Sequence, residues 1–178
     1  MFSKPPAVRG AGSDTEFQPK VRLHEQDYEF CEKMMAKNQM FVITDPKLPD
    51  HPIVYASREF LDFTGYSSED IVGKNCRFLQ GRKTEPEDIQ EISNAIKDKG
   101  DCKVGLINYK KNGDLFFNEF FMTTMHKKRF LFGSKVKNPT YFIGVQTEST
   151  EEEYKAESIV NNFGQVYREE QRDADANK

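Results

Sequence analysis

The segment GKNCRFLQG, Gly73 to Gly81, sets Cys76 between an amide, Asn75, and a guanidinium, Arg77, and adds a second amide at Gln80. Cysteine chemistry divides into disulfide formation, metal ligation, nucleophilic attack and plain packing. Cys31, Cys76 and Cys102 are an odd set without a C-x-x-C pair, which argues against a disulfide framework and a zinc site. His24, His51 and His126 also lack ligand spacing, so they read as surface or loop residues and no metal is expected. Cys76 is left as either a small core residue or a reactive thiol, and its polar neighbours decide between them.

Several elements must position this segment. Tyr28, Cys31 and Met35 recur at helical spacing between Glu25 and Lys37, which predicts an amphipathic helix over 23–38. Met40 to Asp45 and Pro52 to Ser57 are short β-branched and aromatic runs around the turn-rich PKLPDH. SREFLDFTG and SSEDIVG predict two short capped helices with glycine stops. Ile89, Ile92 and Ile96, with Pro86 in the first turn and Gly100 as terminator, predict a longer helix whose stripe faces the core.

Three strands follow: CKVGLINYK, then LFFNEFFMTTM after an Asn112-Gly113 hairpin, then TYFIGVQTEST. The order predicts an α+β domain over 39–148, a five-stranded antiparallel sheet with helices on one face. Thr150 and Glu153 fit a capping box, and Ala156, Ile159, Val160, Phe163 and Tyr167 form a helical stripe, so a second flanking helix is expected over 149–173 before a polar tail, 174–178. Residues 1–22, with scattered Pro, Gly and charge, are expected to be a disordered arm.

The 178 residues suit one domain, with 37% hydrophobic and 31% charged residues, and Phe and Tyr fill the interior in the absence of Trp. A net charge of −3 gives no global attraction to nucleic acid, and none is expected as a partner. No apolar block of signal-peptide or membrane-spanning type stands near the start, so a cytoplasmic location is expected, with the nucleus as the alternative.

NCRFLQG, Asn75 to Gly81, matches the signature of LOV (light, oxygen, voltage) domains, flavin-binding blue-light receptors of the PAS superfamily. FVITDPKLPDHPIVYAS, GYSSEDIVGKNCRFLQG, INYKKNGDLFFN and YFIGVQ extend the resemblance from about Phe41 to Gln146, in family order and nearest to phototropin-type domains. The resemblance implies a PAS fold with a flavin between helices and sheet. It further implies that blue light drives the Cys76 sulfur onto carbon 4a of the flavin ring, in a bond that lapses in darkness. In that family Arg77 would pair with the terminal phosphate, Asn75 and Gln80 would bond the ribityl and phosphate side, and Asn108 and Asn118 the pyrimidine edge. Val42, Thr44, Leu79, Ile89, Ile92, Ile96, Leu106, Phe120, Met122 and Gly144 would form the apolar box, with Gly144 leaving space for the ring. Gln146 would turn its amide when the ring atom before it changes from acceptor to donor, and so pass a signal into the flanking helices.

The sequence departs from the family at several points. Ser93 stands where many relatives have a second phosphate-binding arginine, His51 replaces an Asn, Gly105 a larger residue, and Phe117 a frequent Trp. The short link after Gly81 favours FMN, with FAD as the alternative. Residues 126–140 hold five Lys or Arg and no acid, which reads either as an extended hairpin with snorkelling lysines or as a protein or membrane-lipid contact. No kinase or DNA-binding motif is visible. The expectation is therefore a short receptor or regulatory fragment rather than an enzyme, with a homodimer through the flanking helices as the first assembly. The competing class is a light-independent flavin redox protein or a PAS sensor of another small molecule.

Overall fold

In a computed structural model, residues 4–9, 16–126 and 139–157 are described. Strand β1 (Val8–Arg9) pairs antiparallel with β2 (Glu16–Phe17), ahead of helix α1 (Glu25–Ala36). Strands β3 (Met40–Thr44) and β4 (Ile53–Ala56), helices α2 (Arg58–Thr64) and α3 (Ser68–Ile71), a 3-10 turn (Cys76–Leu79) and helix α4 (Pro86–Asp98) follow. The chain continues through β5 (Cys102–Tyr109), β6 (Leu115–Met125) and β7 (Tyr141–Ser149), and then a helix, α5, over residues 151–157. The expected α+β architecture is present. One antiparallel five-stranded sheet runs in the order β4-β3-β7-β6-β5, so the last strand of the sequence is the central one.

Local chemistry sets the element ends. Ser57 Oγ accepts from the Phe60 N–H to start α2, and Gly65, at φ +77°, closes it in the left-handed conformation that costs glycine least. Ser67 and Asp70 cap α3 reciprocally. Two expected glycine stops are corrected. Val72 in extended conformation ends α3, and Lys99, at φ +55°, ends α4 one residue before Gly100. In both cases the chain had already left the helix before it reached the glycine.

Alternation along the strands divides the sheet into two faces. Val42, Thr44, Leu106, Asn108, Asn118, Phe120, Met122, Phe142, Gly144 and Gln146 turn toward α4 and the 3-10 turn, around a cavity. Phe41, Ile43, Tyr141, Ile143 and Val145 turn the other way and pack with Val8, Phe17, Leu23, Cys31 and Met35. The expectation of a disordered arm over 1–22 is thereby corrected for its described residues. Val8 and Phe17 are buried, and the Phe17 ring lies 5.7 Å from Tyr55 and 5.5 Å edge-on to Tyr141. These anchors hold the described residues of a segment whose average composition is polar.

The second flanking helix begins as expected: Thr150 N–H donates to Glu153 Oε2 at 3.0 Å, and Glu153 N–H to Thr150 Oγ1 at 3.1 Å. It meets the sheet through Tyr154, which the stripe did not include, and through Glu157. The Tyr154 ring lies 5.7 Å from Phe117 over Gly105, and Lys103 Nζ bridges Glu119 at 2.7 Å and Glu157 at 2.8 Å. Ala156 is exposed; Ile159, Val160, Phe163 and Tyr167 lie outside the described residues, as do 127–138 of the basic segment. No helix among the described residues is long and apolar enough to cross a membrane.

Candidate functional site

The cavity is closed on one side by the sheet and on the other by the 3-10 turn and α4. The 3-10 turn is pinned at several points. Asn75 Oδ1 accepts from the Arg77 N–H at 3.0 Å, Phe78 packs edge-on to Tyr66 at 4.7 Å, and Leu79 is buried. Beyond it, Gly81 lies against the Tyr109 ring so closely that a Cβ would collide, and Thr84 Oγ1 donates to the Ile107 carbonyl at 2.6 Å. These contacts lock the cysteine segment to the edge strand β5. Cys76 is thus fixed on the wall by elements rather than by a mobile loop.

Every site residue expected from the sequence lines this cavity except Ile89. That position is corrected: Ile92 and Ile96 reach the wall, but the stripe is longer than the wall it supplies. Ile92 and Ile96 are half-buried rather than core, because what they face is the cavity. Gly144 also differs in detail. A Cβ there would meet Phe120 Cε2 at 2.7 Å, so the missing side chain makes room for the neighbouring strand's phenyl ring. His51 and Phe142 line the wall in addition. Phe142 was readable from alternation, two residues before Gly144, and His51 stood out already as a departure.

Cys76 keeps some accessible surface, and that surface lies on the apolar cavity wall. Burial outweighs the nearby Arg77 charge and pushes its thiol up to about 12, so the sulfur stays protonated. Cys31 and Cys102 are pushed up to about 12 and about 11, again by burial. All three cysteines are free. Among the described residues no cluster of His, Cys, Asp or Glu could hold a metal ion.

Deep in the cavity Asn118 Nδ2 donates to Asn108 Oδ1 at 2.8 Å, and Asn108 Nδ2 to the Ile107 carbonyl at 3.1 Å. Asn118 Oδ1 and Gln146 Oε1 are buried without a partner. Unpaired buried acceptors are costly, and both residues line the same cavity, so the site calls for a ligand with polar edge groups among apolar surfaces. Gln146 sits opposite Phe120 on β6 and Met40 on β3, at the centre of the sheet. At the mouth, Arg77 pairs with Asp50 through two bonds of 2.5 and 2.7 Å, and Asn75 Nδ2 donates to the Asp50 carbonyl at 2.7 Å. The Asn75 amide is therefore partly committed to the protein itself. This donor set fits a flat, mostly apolar ring system with hydrogen-bonding edges and a polar tail.

Comparison with known proteins agrees with this geometry. The PAS domain family matches residues 38–151. Phototropin-1A of Oryza sativa subsp. japonica is 41% identical over 138 residues, 78% of this chain but 14% of the relative, so this chain spans about a seventh of that protein's length. The dark structure of the blue-light photoreceptor Aureochrome1 LOV is 40% identical with a TM-score of 0.64, covering 80% of this chain and 98% of that one. A structure described as "Flavin Analogue Sheds Light on Light-Oxygen-Voltage Domain Mechanism" is 34% identical with a TM-score of 0.66, covering 80% of this chain and 99% of that one. Fold, cavity and sequence thus converge, and the chain belongs to the PAS superfamily as one of its LOV domains.

Proposed function

We propose that this chain is a blue-light receptor that holds a flavin nucleotide in the cavity and bonds it reversibly through Cys76 Sγ on illumination. The observation that carries the proposal is a protonated, free thiol on the wall of an apolar cavity that is also lined by Asn118 and Gln146, two amides with unpartnered oxygens. The flavin, when bound, supplies the absorption of blue light and the carbon that receives the sulfur.

The chain's own residues do the rest. Burial keeps Cys76 a neutral thiol in the dark, so no thiolate attacks prematurely. With a flavin bound, the S–H bond would break as the S–C bond forms, the hydrogen would pass to the ring nitrogen beside that carbon, and the ring C=N bond between them would become single, so no outside oxidant or reductant is consumed. Asn108 and Asn118 orient the polar edge of the ring, Ile92, Ile96, Leu106 and Phe120 exclude water from its faces, and Arg77 faces the phosphate end. FMN is the expected nucleotide and FAD the alternative.

Gln146 is the proposed output. Its amide oxygen has no partner, so an exchange of donor for acceptor before it would turn the side chain and disturb the central strand. Strand β7 runs directly into Thr150 and α5, while α1 covers the opposite face of the same strand. A homodimer through these helices is one form the output could take, and a protein or lipid contact through 126–140 is another. The chain then acts as a sensor rather than an enzyme, in the cytoplasm or nucleus.

The test is the pigment itself. Denaturing the purified full chain and separating what it releases should yield a flavin without an adenylate, with FMN the expected nucleotide. An adenylated flavin would move the assignment to FAD, and a colourless chain that takes up no added flavin would contradict the proposal.

A further inference from the structure

Among the described residues Arg77 is the only permanently charged side chain on the cavity wall, and Asp50 already holds it. The grip is bidentate: Nη1 donates to Oδ2 at 2.5 Å and Nη2 to Oδ1 at 2.7 Å, one carboxylate across the end of the guanidinium. The carboxylate is delivered by a built loop. Asp50 and His51 have φ of +66° and +46°, in the left-handed region that most side chains avoid and that Asp and Asn tolerate best. One amide ties the two partners together, since Asn75 donates to the Asp50 carbonyl and accepts from the Arg77 backbone. The bonds to Arg77 hold the Asp50 carboxyl below the usual carboxylate range.

Three guanidinium N–H groups remain for a second anion, but the ion pair they belong to carries no net charge. Asp50 does not itself line the wall, but its carboxylate is bonded to the cation that does, and among the described residues His51 is the only other basic residue on the wall.

We propose that Asp50 is a specificity-determining residue of the ligand site: by neutralising Arg77 it removes most of the advantage of a flavin with a phosphate, so the cavity holds riboflavin nearly as well as FMN. The inference rests on the reading that this cavity takes a flavin. It concerns which flavin is preferred, and not whether light acts on it.

Flavin-free full chain, titrated separately with riboflavin and FMN and followed by quenching of flavin fluorescence, tests it. The wild-type dissociation constants should agree within about threefold, since the pair is neutral. Asp50→Asn keeps the left-handed backbone preference and the bond from Asn75, and should tighten FMN by roughly fivefold at low salt while leaving riboflavin unchanged. The gain should shrink at high salt and vanish when Arg77→Gln is added. A variant that binds FMN no better, with riboflavin unchanged, overturns the inference and leaves the flavin reading standing. So does a wild-type preference for FMN of more than about tenfold. A wild-type chain that binds neither flavin overturns the flavin reading and this inference with it. Unchanged riboflavin affinity doubles as the control for folding.

Discussion

Asn118 donates to Asn108 across 2.8 Å between neighbouring strands, and in doing so leaves its own buried oxygen without a donor. The pair is an incomplete network that a ligand N–H would complete. Asn118→Leu should therefore weaken flavin binding on the order of tenfold or more, because a buried hydrogen bond is lost and Asn108 is orphaned. The flavin-free protein should change far less in melting temperature, since the substitution also deletes an unsatisfied acceptor. Equal flavin affinity in the variant would show that this edge does not touch the ligand.

Gln146→Leu separates sensing from output. Leucine fills a similar volume but offers no amide to turn. The variant should still lose its blue absorbance on illumination and recover it in darkness. The light-dependent change in protease sensitivity beyond Ser149 expected of the wild type should disappear. A variant that keeps this change would route the signal elsewhere.

Gly105 is a notch for the C-terminal helix. A Cβ there would stand 2.5 Å from Phe117 Cζ and 2.8 Å from Tyr154 Cδ1. Gly105→Val should cost about 1–3 kcal/mol by overpacking and expose the amides of 151–157 to hydrogen exchange in the dark. Removing the ring with Tyr154→Ala should recover part of the stability, so the two changes together cost less than their sum. Simple additivity would mean that the helix does not rest on this notch.

Stability should fall on the alkaline side. Cys31 and Cys76 are pushed up to about 12 and Cys102 to about 11 from an ordinary 9.0. In the unfolded chain these thiols ionise first, so the folded state binds more protons above pH 9 and loses stability as pH rises toward their folded values. Below that range the contribution is fully present. Urea unfolding at about pH 8 and about pH 10 should show the drop, and Cys31→Ala, remote from the cavity, should reduce it. An unchanged slope in that variant would contradict the role given to burial.

Much of this site was legible because its determinants are local. The NCRFLQG segment carries the thiol, its cap and its guanidinium within seven residues, and strand alternation places Asn108, Asn118 and Gln146 on the cavity face. Phe142 follows from the same alternation and His51 was already conspicuous, yet the Asp50–Arg77 pair depends on a left-handed loop that no periodicity reveals. Ile89 shows the limit of a helical stripe, which gives a direction but not the extent of the surface it meets. Val8 and Phe17 show the limit of composition, because two buried anchors stand in a segment that on average reads as polar. Tyr154 was missed because its partner is an absence, the missing side chain of Gly105.

Sensing and output both depend on a bond made at one sulfur under blue light. The decisive measurement is the absorbance of flavin-loaded wild type and Cys76→Ala before a blue flash, just after it, and during the following dark interval. The wild type should bleach in the blue and recover fully in darkness, while the variant, loaded to the same level, keeps its spectrum. A wild type that does not bleach, or a variant that bleaches and recovers in the same way, would contradict the account.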